Sequence, residues 1–266
     1  MSSQTAPVKF NPRLGVHHDA ETLDFRYDQG VFGPKPEFRR LDAIRASLRD
    51  PQCGGPDPVY SIVMDVGRDE HRQEMQKRML LFGVVVYAAG RLGQEPVRSQ
   101  GHIHKIAPHC GWSTPELFEI WEGRAIIYAQ ESAEDDPGRC VAVTAGPGDQ
   151  VVVPPGWAHA VINADPGGQL VFGAWCDRQY GFSYDQVRGH GGLAWYPILD
   201  GNSKVRWEAN PSYADSQIAM RSARGYPELG LRPRVPIYEQ FAFDPESVQW
   251  VSDPKRFEPL WSDFEP

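Results

Sequence analysis

Apolar residues gather in eight short runs, at 59–66, 80–88, 117–121, 125–130, 140–144, 150–153, 158–162 and 170–175. They are rich in Val, Ile, Tyr and Trp and are separated by Gly, Pro and Asp. Runs of this length and composition predict strands. Many short strands joined by turns predict an all-β sandwich or jelly-roll barrel. One earlier segment differs: Leu41, Ile44 and Leu48 recur at helical spacing, predicting a short helix over 38–49 that Gly54-Gly55-Pro56 ends.

Outside the strand region the pattern changes. Residues 1–20 are polar and proline-bearing and read as a loose arm, with His17 and His18 on the surface. Residues 21–213 read as the barrel domain, and the strand rhythm stops after Asn210-Pro211. Residues 214–266 form an irregular, proline-rich extension that still carries Tyr226, Phe241, Phe243, Trp250, Phe257 and Trp261. Disorder goes with few aromatics, so this tail is expected to wrap the barrel or a partner subunit.

Composition narrows the class. With 266 residues, 41% hydrophobic, the chain can bury one large core. A net charge of −8 argues against a nucleic-acid footprint, which needs clustered basic residues. No apolar run approaches the length of a membrane span. The opening Met1-Ser2-Ser3-Gln4-Thr5 lacks a secretory pattern. Cys53, Cys110, Cys140 and Cys176 are scattered, as reduced thiols of a cytoplasmic protein would be. The acidic stretch 131–138 reads as a solubilising hairpin loop.

The chemistry lies in Gly101-His102-Ile103-His104, Thr114-Pro115-Glu116 and Pro154-Pro155-Gly156-Trp157-Ala158-His159. Side chains alternate along a strand, so His102 and His104 share a face. Three strands of a barrel can aim His102, His104, Glu116 and His159 at one interior point. Imidazoles with one carboxylate suit a single divalent transition metal per subunit: Fe, Mn, Ni, Co or Zn. By the same alternation Glu119 faces away from Glu116 and reads as a solvated surface residue. Asn163 reads as a supporting hydrogen bonder. His109 and Cys110, between His104 and Glu116, are rival ligands by type.

Further candidates surround this set. His190, inside Arg188-Gly189-His190-Gly191-Gly192, could act as acid or base if that glycine-rich loop closed over the mouth. Tyr180 and Tyr184 could direct hydroxyls inward. Arg98, Arg178 and Arg188 are candidate anion clamps, since a guanidinium matches phosphate geometry.

These residues resemble the two cupin motifs. The first is His102, His104, Glu116 and, after six intervening residues, Gly123; the second is Gly148, Pro154, Gly156, His159 and Asn163. Lys105 to Pro115 is an insertion relative to most cupins. Within the cupins the chain is similar to the archaeal-type glucose-6-phosphate isomerase family over about residues 22–213. Asp57-Pro58-Val59-Tyr60, Leu80-Leu81-Phe82 and Arg91-Leu92-Gly93-Gln94-Glu95 carry this likeness outside the motifs. The resemblance implies a cupin barrel with His102, His104, Glu116 and His159 as metal ligands. It also implies aldose–ketose interconversion of a sugar or sugar phosphate in glycolysis or gluconeogenesis, and a homodimer. Glu116 is the base it suggests, with Tyr184 or His190 as proton shuttle.

The departures concern substrate. The family has Thr-Lys before Gly-His; here Ser99-Gln100 precede Gly101, keeping a hydroxyl and losing an ammonium. A phosphate-holding threonine is replaced near Val85, and a tyrosine is Gly156. Of two later tyrosine positions, one is Trp175 and the other matches Tyr184. Ser99, Gln100 and Gly101, with Arg98 and Arg178, are therefore the expected substrate contacts. Two other functions share the ligand set: an Fe(II) cupin dioxygenase acting on a small organic substrate, and a non-catalytic sugar-binding cupin.

Overall fold

The computed structural model describes residues 9–179 and 181–266. Two sheets face each other, as in a cupin-type β-sandwich. The elements that build them are β1 (Glu37–Arg39), β2 (Tyr60–Met64), β3 (Leu80–Tyr87), β4 (Ile103–His104), β5 (Glu116–Glu122), β6 (Ala125–Gln130), β7 (Cys140–Ala145), β8 (Gln150–Val153), β9 (Ala158–Asn163), β10 (Leu170–Asp177) and β14 (Ile218–Ser222). One sheet has the order β8-β5-β10-β3-β2-β1 and the other β9-β6-β7-β14. Neighbours are antiparallel except β7 with β14. The two-residue strand β11 (Phe182–Ser183) pairs with β4 beneath the mouth, and β12 (Trp195–Leu199) pairs with β13 (Val205–Ala209) outside the sandwich.

Every run predicted as a strand is one. Several are apolar without alternation, such as Val84-Val85-Val86 and Val151-Val152-Val153, because both faces of both sheets are covered. Val85, Tyr87, Phe118, Ile127, Val143 and Phe172 pack between the sheets. The outer face of the larger sheet, with Phe82, Val84, Trp121 and Trp175, buries Tyr238, Phe241 and Trp250 from the C-terminal segment. The outer face of the smaller sheet, with Tyr128 and Ile162, packs on Leu193, Tyr213 and Trp207. Trp250 is fully buried. Gly123 makes the β5–β6 turn with φ +83°, and a Cβ there would meet the Gln169 carbonyl oxygen at 2.3 Å.

Two local expectations are corrected in the barrel domain. Residues 38–49 are not a helix: the strand β1 ends at Arg39, and two 3₁₀ turns follow at Leu41–Ala43 and Arg45–Ser47. Leu41, Ile44 and Leu48 are still buried, because the turns bring all three to one side. β1 prevails because Glu37 to Arg39 pair with Ile62 to Tyr60, a tertiary contact that outweighs local spacing. Glu119 is 0% exposed rather than solvated. Its face of the sheet is closed by the C-terminal segment, and its carboxylate accepts from Ile237 N (2.9 Å) and Trp121 Nε1 (3.0 Å).

The N-terminal stretch from Lys9 is pinned. Lys9 pairs with Glu122 at 2.7 Å, and Val16–His18 pairs with Phe25–Tyr27. His17 is exposed and His18 is largely covered. The four thiols are free. Among the described residues no helix is long and apolar enough to cross a membrane.

Candidate metal centre

His102, His104, Glu116 and His159 converge between the sheets, with their ligand atoms all within 4.8 Å of one another. Different elements supply them. His102 and His104 come from the segment that ends in β4, Glu116 opens β5 and His159 lies in β9. His102 and His159 exchange backbone hydrogen bonds, N to O at 3.1 Å and 2.9 Å, which brings the first motif against the second. Gly101 turns the chain into His102 with φ +88°; a Cβ there would meet Leu193 Cδ1 at 2.8 Å.

Backbone carbonyls orient two of the rings. Nδ1 of His104 lies 2.9 Å from Thr114 O and Nδ1 of His159 lies 3.1 Å from Trp157 O. A neutral imidazole that donates Nδ1–H turns a lone pair at Nε2 inward. Those Nε2 atoms stand 3.2 Å (His104) and 3.0 Å (His159) from Glu116 Oε2. The buried Nε2 atoms of His102 and His104 have no hydrogen-bond partner among the described residues. Unshared lone pairs crowded around one point repel unless a cation or a shared proton sits among them. The donor set therefore fits a buried divalent metal.

Electrostatics agree. Burial, reinforced by His159 and His104, holds His102 well below the usual imidazole range. Burial alone would raise the Glu116 carboxyl, but its contacts with His104 and His159 outweigh that and hold it far below the usual range. The shifts favour a neutral His102 facing an ionised Glu116, as metal ligation by those two groups needs.

The insertion between His104 and Glu116 serves the site. It forms a small hairpin, Ile106–Ala107 against Trp112–Ser113, and it carries Thr114. Ser113 Oγ also donates to His104 O at 2.6 Å. His109 does not compete as a ligand: it points outward to Ser252 O (3.0 Å) and Asp177 (3.2 Å). The Cys110 thiol donates to the backbone oxygens of Ala107 and Trp112 in the same hairpin and lies outside the four-residue cluster. Asn163 donates to Ala88 O and Gly168 O and stitches a strand end.

A cavity opens from His102, Glu116 and His159 along the inner face of the larger sheet. Ser99, Gln100 and Tyr184 line it. Ser99 Oγ accepts from Val161 N at 3.1 Å. Tyr184 has its ring 6.0 Å from that of His102.

Other expected residues lie elsewhere. Arg98 is buried behind the wall, donating to Glu95 (2.6 Å), Ser47 O (2.7 Å) and Ser99 O (3.0 Å). Arg178 is clamped by Asp65 at 2.6 Å and 2.9 Å. Arg188 donates to Gln100 Oε1 (2.9 Å) and lies over the Tyr184 ring. His190 is not at the mouth. It follows a one-turn helix, Asp185–Gly189, which carries it onto the smaller sheet's outer layer. There it meets Asp135 (3.1 Å) and Gln186 O (2.9 Å) and stacks on Tyr213 at 4.2 Å. Tyr180 lies outside the described residues.

Sequence reasoning missed Arg39, Tyr60 and Tyr87 as cavity residues. Tyr60 and Tyr87 sit in predicted strands whose inward phase was readable. Arg39 carried no signal, because a helical reading of 38–49 gave it no inward face.

The glucose-6-phosphate isomerase family model matches residues 40–214, about two thirds of the chain. The chain belongs to that family. A putative glucose-6-phosphate isomerase 1 of Rhizobium meliloti is 32% identical over 146 residues, 54% of this chain and 63% of that protein. The glucose-6-phosphate isomerase of Thermococcus kodakarensis is 26% identical over 202 residues, 70% of this chain and 95% of that one. The chain thus spans less than two thirds of the Rhizobium relative and nearly all of the archaeal one. Among solved structures, an oxalate oxidase overlaps 47% of this chain and 54% of its own, at 14% identity and a TM-score of 0.35. The family model stops at residue 214, so the segment that covers Glu119 lies beyond it.

Proposed function

We propose that this protein is a metal-dependent aldose–ketose isomerase acting on a sugar phosphate, with glucose 6-phosphate and fructose 6-phosphate as the first pair to test. One observation carries the reading: in a chain of this family, three imidazoles and a carboxylate crowd one point at the end of a cavity, with the buried Nε2 atoms of His102 and His104 unpartnered among the described residues. His102, His104, Glu116 and His159 are the proposed ligands of one divalent ion, drawn from Fe, Mn, Ni, Co and Zn. Such an ion supplies Lewis-acid polarisation of the sugar carbonyl and its neighbouring hydroxyl.

The remaining work falls to side chains. Isomerisation moves a proton from C2 to C1 and another between the two oxygens. Both imidazole contacts of Glu116 fall on Oε2, and Oε1 is the oxygen assigned to the carbon-bound proton. Tyr184 keeps its phenolic proton, since burial raises its pKa further than Arg39 and Arg188 lower it. It is assigned to donate to the sugar oxygens. Ser99 and Gln100, on the cavity wall, are assigned to the sugar hydroxyls. His190, turned toward Asp135, has no part in this scheme.

The test is turnover of fructose 6-phosphate to glucose 6-phosphate under anaerobic conditions, by protein loaded with each metal in turn and by chelator-treated protein. Turnover that depends on metal and not on oxygen supports the reading. Oxygen uptake with iron alone, or sugar binding without turnover, would replace it with a dioxygenase or a binding protein.

A further inference from the structure

Arg39 is the sole lysine or arginine among the described residues that line the cavity. It ends β1, the edge strand of the larger sheet, directly opposite Tyr60 of β2; Tyr60 in turn stands opposite Tyr87 of β3. Cross-strand partners share a face, so the guanidinium and both phenols form one row on the inner wall. The Tyr60 and Tyr87 rings stack at 4.8 Å and stiffen that row. Tyr184, beside the His102 ring, is also an electrostatic neighbour of Arg39. One aromatic side chain thus links the ligand end of the cavity to the arginine end.

How the chain treats its other arginines makes Arg39 unusual. Arg98 and Arg178 each spend their donors on a carboxylate and backbone oxygens. Among the described residues Arg39 has no carboxylate within ion-pair distance, and its buried Nε has no hydrogen-bond partner. A guanidinium carries five N–H donors in a planar fork and keeps its charge at any physiological pH. The Tyr60 hydroxyl takes one of those donors, but an orphaned Nε on the wall of a largely apolar cavity is costly, and an anion entering the cavity would relieve that cost.

We propose that Arg39, flanked by the Tyr60 and Tyr184 hydroxyls, is the phosphate subsite of this cavity and selects phosphorylated open-chain sugars. The role passes here to a residue on the N-terminal edge strand. It was not available to Ser99-Gln100, which carry no cation, nor to Arg98 and Arg178, which are already paired. The choice of a sugar phosphate rests on the isomerase reading above; the anion subsite itself does not.

The experiment uses the full-length, metal-loaded protein and inorganic phosphate as probe. Phosphate binding is read by thermal shift and tryptophan fluorescence in wild type, Arg39→Gln, Arg39→Lys and a surface control, Arg206→Gln. Losing a charge-assisted pair should weaken phosphate binding by about tenfold or more in Arg39→Gln. Lysine should restore part of it and the control should match wild type, with metal content unchanged in all. For turnover, Arg39→Gln should raise KM for fructose 6-phosphate while leaving use of unphosphorylated fructose as in wild type, a split that a purely structural arginine would not produce. Equal phosphate affinity in wild type and Arg39→Gln overturns the proposal, as does wild type that ignores millimolar phosphate. Arg39-dependent phosphate binding without isomerisation removes the isomerase reading and keeps the subsite. Isomerisation with KM indifferent to Arg39→Gln does the reverse.

Discussion

Glu119 offers a quantitative test of how the C-terminal segment closes the molecule. The side chain is fully buried on the outer face of β5, and burial, the dominant influence, pushes its carboxyl up to about 8. The N–H groups of Ile237 and Trp121 work in the opposite direction without prevailing. The sign follows from proton counting. Above pH 4.5 the unfolded carboxyl ionises, while the folded one keeps its proton until about 8. In that window the native state binds more protons, so stability falls as pH rises and levels off above it. The slope is about 1.4 kcal/mol per pH unit, and the window sums to roughly 4–5 kcal/mol. Glu119→Gln removes the titration. It also sets one amide N–H₂ against a backbone or indole donor, at a cost of about 1–3 kcal/mol. Urea unfolding followed by tryptophan fluorescence from pH 5 to 9 is the assay. At pH 5 the glutamine variant should be the less stable protein, and by pH 9 the gap should close or reverse. Asp177, raised by burial to about 6, titrates in both proteins and cancels in the difference. Parallel stability curves for the two proteins would refute the buried, protonated carboxyl.

Four further outcomes are expected. His159→Ala, or His102→Ala with His104→Ala, should abolish bound metal with the far-UV spectrum of a folded β protein retained; full metal content by elemental analysis would contradict the ligand set. Gly101→Ala, with its positive φ and the Leu193 clash, should cost about 1–3 kcal/mol and loosen metal retention, measured by unfolding and by competition with a chelator. Trp250→Ala should destabilise the chain by about 3–5 kcal/mol, since the indole is fully buried against the larger sheet; a change below about 1 kcal/mol, the range of surface substitutions, would mean the segment is not part of the cooperative core. The outer edge of β14, which carries the half-exposed Met220, has no strand paired to it among the described residues, so light scattering should report a homodimer, and a monomer at micromolar concentration would refute that assembly.

What the sequence made legible was whatever depends on short-range geometry. His102 and His104 share a face because strands alternate, and the spacing from Gly148 to Asn163 places His159 behind a fixed corner, so the four residues that converge could be named without knowing which strands pair. Arg39 was missed and Glu119 misread because each owes its environment to chain far away in sequence. Arg39 faces the cavity through a pairing with Tyr60 across the 3₁₀ turns, where local spacing mimicked a helix. Glu119 is buried by Ile237, 118 residues downstream. A clue to the second error was present: Leu117, Phe118, Ile120 and Trp121 surround Glu119 with apolar residues of both phases, and a strand apolar on both faces is covered on both. A charged residue inside such a strand should be read as buried and then asked what neutralises it. The same question put to His190, amid glycines and polar neighbours, gives the opposite answer: nothing around it required burial in the cavity, and it docks on Asp135 and Tyr213 outside. The candidate ligand set is thus written locally in this chain, whereas the surroundings of Arg39 are written in contacts between segments, and a family motif alone transfers the first without the second.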